Sequence, residues 1–181
     1  MEKFIMKQSG LLLWFFAVAT VFGQPDSKIF VLKNSLLQES DKREIVNLLN
    51  ELAWEYRQIN LDSSLYYAQN GLRIAIEFLY LEGQADSWNR IGNAWEAVGN
   101  YEESKNAYMR ALSIDQQIGI PYGIGRDNHQ IGVVLAKSAN LEEALEFELK
   151  SIKILENSSS ERKDSLALGN IYNSTGGIFI D

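Results

Sequence analysis

Trp88-Asn89-Arg90-Ile91-Gly92-Asn93-Ala94-Trp95 is followed by Gly99-Asn100-Tyr101-Glu102-Glu103-Ser104, then by Tyr108 and Ala111-Leu112. The same pattern stands 40 residues later as Asn128, Ile131-Gly132, Leu135, Ala139-Asn140-Leu141-Glu142-Glu143-Ala144, Glu148 and Ser151-Ile152. About 40 residues earlier, with one residue fewer in the turn, it reads Leu52-Ala53, Tyr56, Asn60, Ser64-Leu65, Tyr67-Ala68 and Gly71-Leu72. A fourth copy opens at Leu168-Gly169, Tyr172 and Gly176. Self-similarity at such a period is the signature of a stacked repeat architecture.

Each copy reads as a helical hairpin. Ile91 and Trp95, like Ile131 and Leu135, are four residues apart and share a helix face. Gly92 and Gly132 stand beside them, where the missing Cβ lets a neighbouring helix approach. Glycine costs a helix about 1 kcal/mol relative to alanine, so a packing reason is expected. Gly99-Asn100 ends the first helix. Asn100 and Asn140 are placed to cap the second. Glu102-Glu103 and Glu142-Glu143 fall in its first turn, where they favour the helix dipole, and no base, ligand or nucleophile stands near them at catalytic spacing. The helices expected are 28–38, 41–59, 62–79, 84–98, 101–118, 124–138 and 141–156, with the first helix of a fourth repeat from Arg162 to Ser174. Pro121, in Gly119-Ile120-Pro121-Tyr122-Gly123, is read as part of a linker. No long stretch alternates with period two, so no sheet is expected.

These residues resemble the tetratricopeptide repeat (TPR), whose pattern is W-x2-L-G-x2-Y followed by G-x-Y-x2-A-x3-Y/F-x2-A. Trp88, Ile91, Gly92, Trp95, Gly99, Tyr101, Ser104, Tyr108 and Ala111 occupy its positions in register. Trp95 replaces the usual Tyr and Ser104 the usual Ala. The usual period is 34 residues. The longer one here resembles the subtype of kinesin light chains and of the N-terminal TPR regions of bacterial sensor and regulatory proteins. The resemblance covers roughly Ile45 to Gly176 and implies an all-α, right-handed α-solenoid of helix-turn-helix hairpins.

The N-terminus reads differently. Lys3 and Lys7 precede the apolar run Leu11 to Phe22, and Val21-Phe22-Gly23 offers a small-residue cleavage site before Gln24, with Ala17-Val18-Ala19 as a second candidate. Residues 1–23 are therefore expected to be a signal peptide, and the product to be exported, periplasmic or secreted. The rival is an uncleaved anchor, because Gln8 to Pro25 carries no charge. Residues 24–40 form a lead-in with a short helix, and 41–181 the array, with its last repeat incomplete. The chain ends at Gly176-Gly177-Ile178-Phe179-Ile180-Asp181, where the second helix of that repeat should begin. An unpaired apolar helix face leads us to expect the N-terminal piece of a longer protein or a product shortened by a gene lesion. A lone capping helix is the alternative.

The composition excludes several chemistries. The 181 residues carry a formal charge of −7, with one His and no Cys. That leaves no disulfide framework, thiolate zinc site or cysteine nucleophile. The acidic balance argues against a general nucleic-acid binder. A nucleophile elbow and a phosphate loop are both missing, and Gly123-Ile124-Gly125 lacks the third glycine and preceding strand of a dinucleotide site. His129 has no partner at ligand spacing. The expectation is a protein that is not an enzyme and needs no cofactor or metal.

What remains is a surface. In TPR proteins the first helices line a concave groove. The resemblance carries the groove role to Asn50, Trp54 and Arg57; to Asn89, Asn93 and Glu96; and to Arg126, His129, Val133 and Lys137. The Lys/Asn/Lys/Arg set that clamps chaperone C-termini is not matched by Asn50, Trp54, Arg90, Arg126 and Gln130, so that partner is rejected. The expected partner is a protein or peptide segment bound in the groove. No membrane contact is expected of the mature repeats unless the N-terminal segment stays as an anchor or a C-terminal span is missing. The alternative is the extracytoplasmic sensory region of a sensor histidine kinase or transcriptional regulator.

Overall fold

The computed structural model describes residues 27–158. Within them the chain forms seven helices: α1 (Ser27–Gln38), α2 (Lys42–Tyr56), α3 (Leu61–Glu77), α4 (Leu81–Ala97), α5 (Tyr101–Ile118), α6 (Pro121–Lys137) and α7 (Leu141–Asn157). No strand occurs among the described residues. The expected signal peptide, the expected fourth repeat and Ile178 to Ile180 lie outside them.

Helices α3 to α7 begin at residues 61, 81, 101, 121 and 141. The 40-residue repeat is thus two equal helical units, each closed by one left-handed residue. These residues are Leu79 (φ 53°), Gly99 (φ 76°), Gly119 (φ 78°) and Ala139 (φ 63°). Gly99 and Gly119 supply that conformation without strain, whereas Leu79 and Ala139 carry a Cβ into it. The helix starts differ too. Asp41 accepts from the backbone N–H groups of Arg43 and Glu44 at 2.9 and 3.0 Å, and Asn60 from Ser63 at 2.7 Å. Asn100 accepts from Glu103 at 3.5 Å. Asn140 does not cap, contrary to the sequence reading, because its Nδ2 turns to Ser138 Oγ at 3.3 Å.

The expected linker around Pro121 is also corrected. Helix α6 starts at Pro121 itself, three residues early, and Gly123 and Gly125 are buried inside it. Proline at the first helical position lacks only an N–H that would have no intrahelical acceptor, so it opens the helix instead of breaking it.

Helix pairs α2/α3, α4/α5 and α6/α7 form the hairpins, and α3/α4 and α5/α6 pack them in series. The first helices α2 and α4 also touch, and α1 covers the outer face of α2. The core follows in three portions. Leu32, Leu48 and Leu52 form the first, and Ala53, Ala68, Leu72, Ile91 and Ala107 the second. Tyr108, Leu112, Ile131, Val134, Leu135 and Ala144 form the third. Tyr67 packs on both the first and second. The first portion joins α1 to repeat one, and the second and third each join two successive repeats, which makes the stack quasi-one-dimensional.

Side-chain size is exchanged inside each hairpin. Repeat one pairs Ala53 with Ala68, both fully buried. Repeat two lays the Tyr108 ring over Gly92, where any Cβ would overlap the ring. Repeat three sets the buried Glu148 against Gly132. The fold is an all-α TPR-type solenoid.

Candidate functional site

The first helices α2, α4 and α6 stand side by side, and at their C-terminal ends they enclose a pocket of about 410 Å³. Trp54 and Arg57 come from α2 and its cap, Asn93 and Glu96 from α4, Tyr101 from the start of α5, and Lys137 from the last turn of α6. Trp54 is held from the side by its own helix end. Arg57 lies over its ring with the guanidinium carbon 3.4 Å from the centroid, and donates from Nη1 to the Trp54 carbonyl at 2.7 Å. Arg90 of α4 approaches the same ring at 5.1 Å. Stacking of planar guanidinium on indole is the most favourable cation–π geometry available to arginine.

The far wall is a relay of hydrogen bonds. Lys137 Nζ donates to Glu96 Oε1 at 2.7 Å, joining α6 to α4. The Tyr108 hydroxyl lies 2.8 Å from Glu96 Oε2 and 3.0 Å from the Asn93 side-chain amide. It has one proton. Charge assistance assigns that proton to Glu96. Turning the Asn93 amide so that Nδ2 donates to the phenol oxygen completes the chain and satisfies the otherwise unpartnered Nδ2. Burial first, then the Glu96 charge, push the Tyr108 pKa above the normal phenol range, so it stays protonated.

At the opposite end of the groove lies a charge cluster. Arg126 of α6 donates to Asp86 of α4 at 2.9 Å, to Asp115 of α5 at 3.1 Å and to its neighbour Asp127 at 3.1 Å. Asn89 Nδ2 donates to Asp127 Oδ1 at 3.0 Å. Three carboxylates share one guanidinium, and Asp127 is wholly buried. Desolvation, then the Asp127 charge, push the Asp115 carboxyl up to about 7 against the attraction of Arg126. Desolvation raises Asp127 as well. Burial opposes the charge on Arg126, but the three carboxylates outweigh it and raise its pKa. A proton held on Asp115 gives Asp127 Oδ2, otherwise unpartnered, a donor.

Between the two ends, His129 Nδ1 lies 2.9 and 3.1 Å from the carboxylate oxygens of Glu148. Glu148 occupies in repeat three the place of Tyr108 in repeat two. Among the described residues no group of His, Asp and Glu is arranged to hold a metal ion.

Five of the residues expected in the groove therefore meet at one pocket: Trp54, Arg57, Asn93, Glu96 and Lys137. Asn89 and Arg126 meet in the aspartate cluster, and His129 is engaged with Glu148. Asn50 is buried and accepts from Ser87 Oγ at 2.9 Å, and Val133 is half-buried. Asp86, Asp115, Asp127, Glu148 and Tyr101 were not anticipated. One signal was available. Asp86 and Arg126 hold the same repeat position with opposite charge, so adjacent first helices were bound to pair them. Asp115 carried no such signal, since its contact depends on how α5 leans on α6.

Residues 21–109, just under half of the chain, match the family described as the SusR N-terminal TPR domain. No curated protein matches. Among solved structures, the crystal structure of aspartyl phosphate phosphatase F from Bacillus subtilis superposes with a TM-score of 0.64 at 19% identity, over 80% of this chain and 39% of that one. The apo form of RapI gives 0.63 at 17% identity, over 83% of this chain and 45% of that one. A putative kinesin light chain from Podosopora anserina, with nearly identical TPR-like repeats, gives 0.58 at 15% identity over 76% and 70%. This chain thus spans less than half the length of the first two proteins, and at these identities the likeness is one of fold. Repeat pattern, hairpin stack and family match agree: the chain is a tetratricopeptide-repeat protein resembling the N-terminal TPR regions of bacterial regulatory proteins.

Proposed function

We propose that this protein binds a peptide or protein segment in the groove formed by α2, α4 and α6, and that it does no catalysis of its own. The observation that carries this reading is the pocket at Trp54. A large aromatic side chain is left 36% exposed there, among groups contributed by all three first helices. Aromatic anchors of this kind, ringed by polar groups, dominate the affinity of protein interfaces. The test is a photo-crosslinking amino acid at Gln58, on the pocket rim, in the native host. It should capture one partner, identified by mass spectrometry, whereas the same probe at Tyr66 on α3 should not. Equal capture from both positions would remove the groove from the reading.

Export is part of the proposal. It is supported by the basic start, the apolar run from Leu11 to Phe22 and the small residues before Gln24. N-terminal sequencing of the protein from its host should begin at Gln24 or Thr20; a chain beginning at Met1 would point to a retained anchor. A second reading is favoured by the family match to an N-terminal TPR domain. In that reading the array is the sensory portion of a longer regulatory protein. Sequencing the DNA beyond codon 181 decides it: further repeats, a membrane span and an output domain support it, and a true stop sinks it.

A further inference from the structure

The second and third repeats meet through two kinds of contact. Helices α5 and α6 share an apolar core portion, through Tyr108, Leu112, Ile131, Val134 and Leu135. Among the described residues no core portion joins α4 to α6, although α2 and α4 share one through Ala53 and Ile91. Polar bridges span the α4/α6 seam instead: Asp86 to Arg126 at 2.9 Å, Asn89 to Asp127 at 3.0 Å and Glu96 to Lys137 at 2.7 Å. Apolar attraction is non-directional, so the α5/α6 contact can serve as a pivot, while a charged bridge across the seam is either made or broken.

The bridge at Asp86 stands in competition. Arg126 also donates to Asp115 and Asp127, each at 3.1 Å. Asp115 is pressed onto the first turn of α6, where any Cβ at Gly123 would overlap its carboxylate. Asp115 and Asp127 are buried, whereas the Asp86 side chain is 41% exposed. Donors run short around the buried pair, since Asp127 Oδ2 and Asn89 Oδ1 are both enclosed without one. One proton shared by Asp115 and Asp127 supplies a donor and leaves Arg126 free to hold Asp86. Once it is lost, two buried carboxylates face one guanidinium. Neither can turn to water, but Asp86 can. Arg90 stands one turn further along α4, in the field of both Asp86 and Arg126, and is on hand for the carboxylate that Arg126 gives up. From α2, Glu51 and Arg57 act on Arg90. From α7, uncharged Ser151 and Leu155 meet α6 at Gly125, and Glu148 is engaged with His129.

We propose that the Asp86–Arg126 bridge is a proton-controlled latch between the second and third repeats. With the proton in place the bridge holds α4 against α6. When the proton leaves, Arg126 turns wholly to Asp115 and Asp127, the bridge opens, and the third repeat swings about the α5/α6 packing. The groove widens at that end, with Asn89 and, at the far end, Lys137 left as tethers. Burial, then the Asp127 charge, holds the Asp115 carboxyl at about 7, so rising pH opens the latch across neutrality. The latch works whatever the groove binds, and it is measured with the groove empty.

The chain holds no cysteine, so cysteines placed at Glu82 and Tyr122 are the only labelling sites in the full chain. Both residues are exposed and stand one turn before Asp86 and Arg126. The dipolar coupling of a nitroxide pair there should weaken as pH rises from 5.5 to 8.5, with a midpoint near 7 and helical circular dichroism unchanged. Asp115→Asn should hold the strong coupling across the range. Asp86→Ala, at a partly exposed position, should show the weak coupling already at pH 5.5 and no further change. His129→Gln should titrate like the parent; it removes the only histidine, the residue type whose ordinary charge change falls in this range. A coupling that stays constant with pH in the parent overturns the latch. A pH response that survives Asp115→Asn, or one that vanishes with His129→Gln, overturns it as well.

Discussion

Replacing Asp115 by asparagine should remove a large part of the pH dependence of stability. Asp115 is buried in the α5/α6 junction, facing Arg126 and Asp127 of α6 and lying in the field of Asp86 on α4. Its carboxyl titrates near 7 in the fold against an ordinary 3.8. A raised pKa means that the folded form keeps a proton the unfolded form has released. The stabilisation is therefore complete below about pH 4, declines as pH rises, and is spent once pH passes 7. At 1.36 kcal/mol per unit, moving from pH 5 to pH 7.5 costs roughly 2–3 kcal/mol from this group alone. Asp127, raised in the same direction, adds to the fall. Asparagine keeps the size of the neutral acid, still donates towards Asp127 and still accepts from Arg126, but it does not ionise. Urea unfolding followed by circular dichroism at pH 5.0, 6.0, 7.0 and 7.5 measures the difference, which belongs to the interacting Asp115/Asp127 pair. The two should be close at pH 5. By pH 7.5 Asp115→Asn should be the more stable by roughly 2 kcal/mol, about 4–8 °C in Tm for a chain of this size. Parallel stability curves would refute the assignment of a proton to this cluster.

Four smaller perturbations probe the frame of the groove. Gly92→Ala gains about 1 kcal/mol of helix propensity, yet its Cβ would overlap the fully buried Tyr108 ring. Overpacking should prevail, with a net loss of about 1–2 kcal/mol, and a stabilised variant would show that the ring yields freely. Asn100→Ala should cost about 1 kcal/mol in chemical denaturation, because it removes the cap of α5. Asn140→Ala, where no cap bond exists, should cost a few tenths, and equal costs would contradict the turned amide. Ala139→Gly should stabilise by about 0.5–1 kcal/mol, by relieving a left-handed Ala at φ 63°. A lower Tm in that variant would mean that added freedom in the unfolded chain outweighs the relief.

Much of the architecture was legible because repeat packing is local. The apolar-glycine pairs at Ile91-Gly92 and Ile131-Gly132 mark where a second helix must approach, and the second helix duly places Tyr108 and Glu148 there. The recurrent turn fixed where helices α5 and α7 begin, at residues 101 and 141. The misreadings came from treating residue types as absolute signals. Pro121 opens a helix because of its position, and Asn140 declines to cap because Ser138 offers its amide another acceptor.

The site was less legible, and the tryptophans show why. Trp54, Trp88 and Trp95 all sit at helical spacing on first helices. Yet Trp54 faces the pocket, while Trp88 and Trp95 pack against the core formed with α3 and α5. A first helix in such a stack has its own hairpin partner on one side and the preceding repeat on another. Periodicity tells which residues share a face, but the twist between repeats decides which face is left open. The same holds for the charges. Asp86 and Arg126, one period apart, could be paired by counting, whereas Asp115 and Asp127 meet only because α5 and α6 cross where they do. Sequence by itself determined the hairpins, their order and their register, since those rest on contacts within one repeat length. The tertiary structure alone decided which polar side chains were stripped of water together, because burial depends on several helices at once.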